Sequence, residues 1–228
     1  MDFIPWYVTL MRLLVPISIL RFPLGGMLAS MYADAIDWDI IGVTSKQKDL
    51  IYQNWDKALD VYALFFVVWM VRKWKDVWAR RTALGFFIYR IIGVILFWVT
   101  GWRPWLFFFP NVFENFVILC LIIFWLSKKK QLYLDRIQKI MMLIVLIIPK
   151  MIQEYFQHFL GRQPWELYSI GSRLGFRGMF LTYVDPVLWV LLLYILPMGG
   201  YLLYLRKKII CSKIDPVGEQ RIFSLGRQ

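Results

Sequence analysis

Apolar segments of near-spanning length recur along almost the whole chain, at about residues 4–20, 23–43, 57–72, 82–101, 111–127, 139–160 and 184–205. A helix that crosses a bilayer needs about 20 mostly apolar residues, because the hydrocarbon core is about 30 Å thick. One soluble core could not bury so many. The chain is 60% hydrophobic and only 18% charged over 228 residues, against roughly a quarter charged in soluble domains. The expected fold is therefore all-α, a polytopic transmembrane helix bundle of six to seven spans in the cell membrane. Residues 1–205 are expected to form a single transmembrane helical domain and residues 206–228 a basic cytoplasmic tail. Arg12 interrupts the first segment, and Arg21, Pro23, Gly25 and Gly26 tie it tightly to the second. Residues 1–22 can equally lie along the interface as an amphipathic helix, which gives the lower count. No small-residue cleavage site follows the first apolar run, so that run is expected to be retained.

The net charge of +12 is sided. One set of connections holds Arg72, Lys73, Lys75, Arg80 and Arg81, then Lys128, Lys129, Lys130, Arg136 and Lys139, then Arg206, Lys207, Lys208 and Lys213. The opposite set holds Lys46, Lys48, Arg103, Arg162, Arg173 and Arg177. The positive-inside rule makes the first set cytoplasmic and puts the C-terminus inside. Trp74, Trp78, Trp102 and Trp105 then fit interfacial belts, and the basic charge needs no nucleic-acid partner. Cys120 and Cys211 stand far apart and suggest no disulfide framework. The single histidine, His158, argues against a haem or chlorophyll protein.

The polar residues of the apolar segments gather at the ends away from the basic side. Asp34, Asp37 and Asp39 close the second segment, and Asp56 and Asp60 open the third. Asn111 and Glu114 open the fifth, Glu154 and His158 close the sixth, and Asp185 opens the seventh. The i,i+3 spacing of Asp34/Asp37 and the i,i+4 spacing of Asp56/Asp60 and Glu154/His158 put each pair on one helical face. Carboxylates at such depth cost a few kcal/mol each (about 2.5–3.5 for Asp on insertion scales), so chains that keep them use them for ions, protons or substrate. Paired carboxylates on neighbouring helices suit a hard divalent cation, Mg²⁺, Mn²⁺ or Ca²⁺, better than zinc, with Mg²⁺ or Mn²⁺ the expected ion and Asp34, Asp37, Asp56 and Asp60 as ligands. Glu114, Glu154 and His158 extend the polar cluster. A bland reading stands beside this one, since Asp39, Asp56 and Asp185 can be helix-end residues favoured by the helix dipole.

Two cations interrupt the apolar segments more deeply. Arg90 falls near the middle of the fourth and calls for a carboxylate or phosphate partner, which Asp34, Asp37, Asp60, Glu114 or a bound phosphate can supply. Lys150 follows Pro149, and the pair reads as a structural kink with a freed carbonyl nearby.

The first sixty residues resemble the CDP-alcohol phosphotransferase family. That family opens with T-L-x-R followed by Pro, here Thr9-Leu10-Met11-Arg12 and Pro16, and continues with D-x-x-D and D-x-x-x-D, here Asp34, Asp37, Asp56 and Asp60. The resemblance implies that the four aspartates hold divalent metal, that Asp60 also deprotonates an alcohol, and that the substrate is a lipid or lipid-linked alcohol. Arg90 then serves as a phosphate clamp beside Asp60. The chain departs from the pattern at Trp38 and Tyr52, where the family has glycine, and the basic residues put these acids on the outer face rather than the cytoplasmic one.

Two other classes use the same residues differently. A cation or proton-coupled transporter needs a polar route running past Arg90 and Lys150 to the basic face. An accessory subunit needs only an aromatic surface to pack on a larger membrane complex or on a second copy of itself in the bilayer.

Overall fold

The computed structural model describes residues 6–44, 50–128, 132, 134–160, 168, 170–173 and 179–214, with side chains omitted at 35–44, 50–53, 171–172, 179–183 and 207–214. The described residues are helical almost throughout, in agreement with the all-α expectation. Helix α1 (Trp6–Leu14) tightens into a 3-10 segment, Val15–Leu20. There follow α2 (Pro23–Thr44), α3 (Leu50–Val71), α4 (Val77–Thr100), the short α5 (Trp105–Phe108), α6 (Val112–Ser127) and α7 (Arg136–His158). The last elements are α8 (Ile170–Arg173), α9 (Met179–Val190), one π-helical turn at Leu191–Ile195, and α10 (Leu196–Ile214).

Four helical stretches among the described residues are long and apolar enough to cross a membrane: Val77–Thr100, Trp105–Ser127, Arg136–His158 and Val184–Arg206. The two helices α2 and α3 match them in length at 22 residues each. They differ in charge, carrying Asp34, Asp37 and Asp39, and Asp56, Lys57 and Asp60, respectively. The apolar stretch Trp6–Leu20 is shorter. Among the described residues, length and composition thus give four candidate spans, and they do not confirm the six to seven expected.

The chain forms two compact units, Met1–Asp135 with Lys150–Gln163, and Arg136–Pro149 with Pro164–Gln228. In the first, the 3-10 segment packs on α2 and α3, α3 packs on α4, and α6 packs on α4 and α2. The turn into α2 is tight because Ser18 accepts from the backbone N–H of both Arg21 (3.0 Å) and Phe22 (2.8 Å). Gly26 is required there, since a Cβ on it would collide with the backbone of Ile19. Asp76 caps α4 by accepting from the N–H of Ala79 (2.8 Å), and its other oxygen accepts from the N–H of Leu132 (2.6 Å). Helix α4 turns Ala83, Arg90, Gly93, Val94 and Phe97 inward and leaves Ile88, Ile92, Ile95 and Val99 exposed. An apolar outer stripe with the polar residue inside is the pattern of a lipid-facing helix.

The second unit buries Met142, Leu146, Tyr201 and Leu205, with the Tyr201 hydroxyl donating to the carbonyl of Gln138 (3.0 Å). Trp189 Nε1 donates to the carbonyl of Tyr168 (3.0 Å). Asp185 is buried in this unit.

Candidate functional site

The 3-10 segment holds α1 against α2 and α3, and the Tyr62 hydroxyl fixes the contact by donating to the carbonyl of Leu13 (3.0 Å). That placement brings Arg12, only 5% exposed, to the aspartates. Its Nη2 lies 2.6 Å from Asp34 Oδ1 and 2.7 Å from Asp60 Oδ1, and its Nη1 lies 2.7 Å from Asp56 Oδ1. One guanidinium thus touches three carboxylates from two helices. Lys57 Nζ lies 2.6 Å from both Asp56 Oδ2 and Asp60 Oδ2. The Trp55 ring covers the guanidinium at 5.7 Å, in cation–π range.

Carboxylate oxygens of Asp34, Asp56 and Asp60 lie within 4.8 Å of one another, close enough to share one ion. Asp56 and Asp60 are mostly buried and the Asp34 side chain is half exposed, so the group opens to its surroundings on the α2 side. The side chains of Asp37 and Asp39 lie outside the described residues. Three carboxylates against two cations leave one negative charge among the five groups.

Arg90 is buried but not in this cluster. Its Nη1 donates to the carbonyls of Phe109 (2.9 Å) and Leu106 (3.4 Å), and among the described residues it forms no ion pair. These carbonyls lie in and after the short α5, where helical bonding cannot satisfy them. The turn comes this close because α4 has Gly93 at the contact, where a Cβ would overlap the Phe109 side chain. Of the carboxylate or phosphate partner expected for Arg90, no carboxylate is paired with it among the described residues, and backbone oxygens stand in that position. Glu114 borders a small pocket with Ile19, Met27, Ser30, Met31, Ala63 and Val67, outside the three-carboxylate group.

Glu154 and His158 do come together, in the last turn of α7. Glu154, 2% exposed, has Lys150 Nζ 3.0 Å from Oε1 and His158 Nε2 2.8 Å from Oε2. The backbone N–H of Asn111 also points to Glu154 Oε1, at 3.5 Å. Lys150, read as part of a kink, is therefore a partner of Glu154. It also donates to Gln153 Oε1 at 3.1 Å.

Sequence reasoning missed Arg12 and Lys57 as members of the site. Both left a signal: a lone arginine within an apolar segment must find an anion, and Lys57 stands between Asp56 and Asp60 on the same turn.

The fold and the cluster define a helical membrane protein with a charge-paired carboxylate group on its more polar helices. Compared with family models, curated proteins and solved structures, the chain matches none.

Proposed function

We propose that the chain is a divalent-metal-dependent enzyme that transfers a phosphoryl-linked group from a pyrophosphate-linked donor to a lipid or lipid-linked alcohol, the alcohol oxygen forming the new P–O bond as the pyrophosphate P–O bond breaks and the distal phosphate leaves. The observation that carries this reading is the convergence of Asp34, Asp56 and Asp60 oxygens within 4.8 Å. The donor set fits Mg²⁺ or Mn²⁺, since it is all oxygen and anionic. The Arg12 guanidinium is in contact with one oxygen of each carboxylate, which supports a position that accepts positive charge. Further support comes from the resembling segment. Its three parts, around Arg12, Asp34 and Asp56/Asp60, are far apart in sequence and meet at this point.

A divalent ion bound here would supply charge neutralisation for a pyrophosphate or phosphodiester. The residues set conditions on the rest. Both oxygens of Asp60 face a cation, so Asp60 accepts a proton from an alcohol only through an oxygen that Arg12 or Lys57 has left. A guanidinium or ammonium that leaves is then positioned beside the carboxylates to hold a phosphate oxygen. The half-exposed Asp34 marks the side from which substrate reaches the group.

One observation favours a second reading. Arg12 and Lys57 together compensate most of the carboxylate charge, as an electrostatic clasp in an accessory subunit would. Metal binding separates the two. With protein in lipid nanodiscs, Mg²⁺ or Mn²⁺ raises the melting temperature under the enzyme reading, and Asp34→Asn and Asp60→Asn abolish the rise. No rise with either ion leaves only the clasp.

A further inference from the structure

The basic end of the first unit carries positive charge that the fold does not pair. Arg72, Lys73 and Lys75 lie between α3 and α4, Arg81 lies near the start of α4, and Lys128 follows α6; all five are exposed. Asp76 ties these places together, since its two oxygens accept from the N–H of Ala79 in α4 and of Leu132 beyond α6. The Trp74 ring packs on Phe124 of α6, with centroids 5.2 Å apart, at the same end. Among the described residues none of the five cations forms a salt bridge. The stretch from 61 to 113 has one acid, Asp76, and that from 115 to 153 has one, Asp135. Asp76 is buried and held by the two backbone N–H groups, so Asp135 alone stands near the five.

Lys75 and Arg81 do nothing for α4 itself, because the start of a helix is the positive end of its dipole and disfavours cations. Arg80 differs in donating to the carbonyl of Trp74 at 2.8 Å, which gives it a structural use. Keeping these connections on the cytoplasmic side needs only their charge. Their neighbours point to a ligand. Phe65 and Trp69 are exposed on α3 just before Lys73, whose Nζ lies 5.9 Å from the Trp69 ring centroid, and Trp125 and Leu126 are exposed on α6 just before Lys128. Cations bordered by exposed apolar side chains match a molecule with an anionic head and apolar chains, whereas a soluble polyanion would use the cations alone.

We propose that Arg72, Lys73, Lys75, Arg81 and Lys128 form a surface that binds the phosphates of anionic phospholipids, with the acyl chains alongside the exposed apolar side chains of α3 and α6. It involves none of the aspartates and needs no metal.

The full chain, purified in a neutral detergent with a chelator so that both ends are accessible, is melted while phosphatidylglycerol is mixed into the micelles at rising fraction. Phosphatidylglycerol raises the melting temperature; phosphatidylcholine at the same fraction, and inorganic phosphate at the same phosphate concentration, do not. Lys75→Gln and Arg81→Gln each raise the fraction needed for half the effect about fivefold, the worth of one cation near an anionic surface, and about twenty-five-fold together. Both side chains are exposed, so the melting temperatures without lipid stay at the wild-type value. Lys75→Arg keeps the full response, and so does Arg103→Gln, beyond the other end of α4, which separates this surface from net charge. Phosphatidylglycerol retained by the same proteins, counted by native mass spectrometry, falls in the double variant and gives a readout independent of stability. An equal rise with phosphatidylcholine, an equal rise with inorganic phosphate, an unchanged response in the double variant, or a rise with a short RNA and none with phosphatidylglycerol overturns the proposal.

Discussion

Arg12 is the residue on which the aspartate cluster turns. Its guanidinium contacts Asp34, Asp56 and Asp60 while being 5% exposed. Removing one partner of a buried ion pair leaves uncompensated charge and costs about 3–5 kcal/mol. Arg12→Gln is therefore expected to lower stability by about that amount, read as a shift in the denaturation midpoint in a single mild detergent. The loss is expected to shrink in Arg12→Gln combined with Asp34→Asn, because the double variant removes a charge of each sign. The same variant probes the enzyme reading. With the guanidinium gone, Mg²⁺ competes with Lys57 alone for the carboxylates, so the thermal rise per unit of ion is expected to exceed that of the wild type. An equal or smaller rise would show that the ion binds elsewhere. Among the site residues, the three aspartates were legible as a group because carboxylates in apolar helices stand out and their spacing sets a face. Arg12 was not, since its role depends on how α1 returns to α3 across more than forty residues. Arg90 misled for the opposite reason. A buried guanidinium is equally served by carbonyl oxygens, and nothing in the local sequence shows that the chain after α5 turns back to offer them.

At the scale of elements, two glycines of the first unit stand where a Cβ would collide with its neighbours. A Cβ at Gly93 would overlap Phe109, and the carbonyl of Phe109 is also the nearer acceptor for Arg90. Gly93→Ala is expected to push the turn after α5 off α4 and cost about 1–3 kcal/mol, as overpacking does. The diagnostic is its coupling with Arg90→Met in a double-mutant cycle. Energies that simply add would mean that the two residues do not share the Phe109 contact. Gly26 meets backbone rather than a side chain, so Gly26→Ala has no rotamer to yield and is expected to be the more damaging of the two in the same denaturation assay. The helices themselves were legible: the seven apolar segments coincide with helical segments to within several residues. Apolar runs of that length set helix existence, whereas the ends are set by caps such as Asp76, whose second bond to the N–H of Leu132 is a tertiary contact. The break between α5 and α6 at Phe109, Pro110 and Asn111 also follows from tertiary bonding, through Arg90 and Glu154.

At the scale of the molecule, charge asymmetry and site chemistry make opposite statements about sidedness, and one measurement decides between them. The basic connections around Lys75, Lys128 and Arg206 are expected to be cytoplasmic, which puts Lys46 and the carboxylate ends of α2 and α3 on the other face. The proposed phosphotransfer, were its donor a cytoplasmic CDP-alcohol, would require the reverse. In a background lacking Cys120 and Cys211, single cysteines replacing Lys46 and Lys75 are labelled with a membrane-impermeant thiol reagent on intact cells. The charge rule gives labelling at 46 and silence at 75. That result directs substrate searches to lipid-linked donors, since nucleotide-linked alcohols are made inside. Labelling at 75 alone inverts the molecule, places Asp34, Asp56 and Asp60 toward the cytoplasm, and makes a soluble CDP-alcohol the first donor to assay. The span count enters the same argument. An odd number of crossings puts the chain ends on opposite faces and an even number on the same one. A third cysteine replacing Asp2, compared with one replacing Lys213, therefore tells whether Trp6–Leu20 lies along the interface or crosses with the other helices.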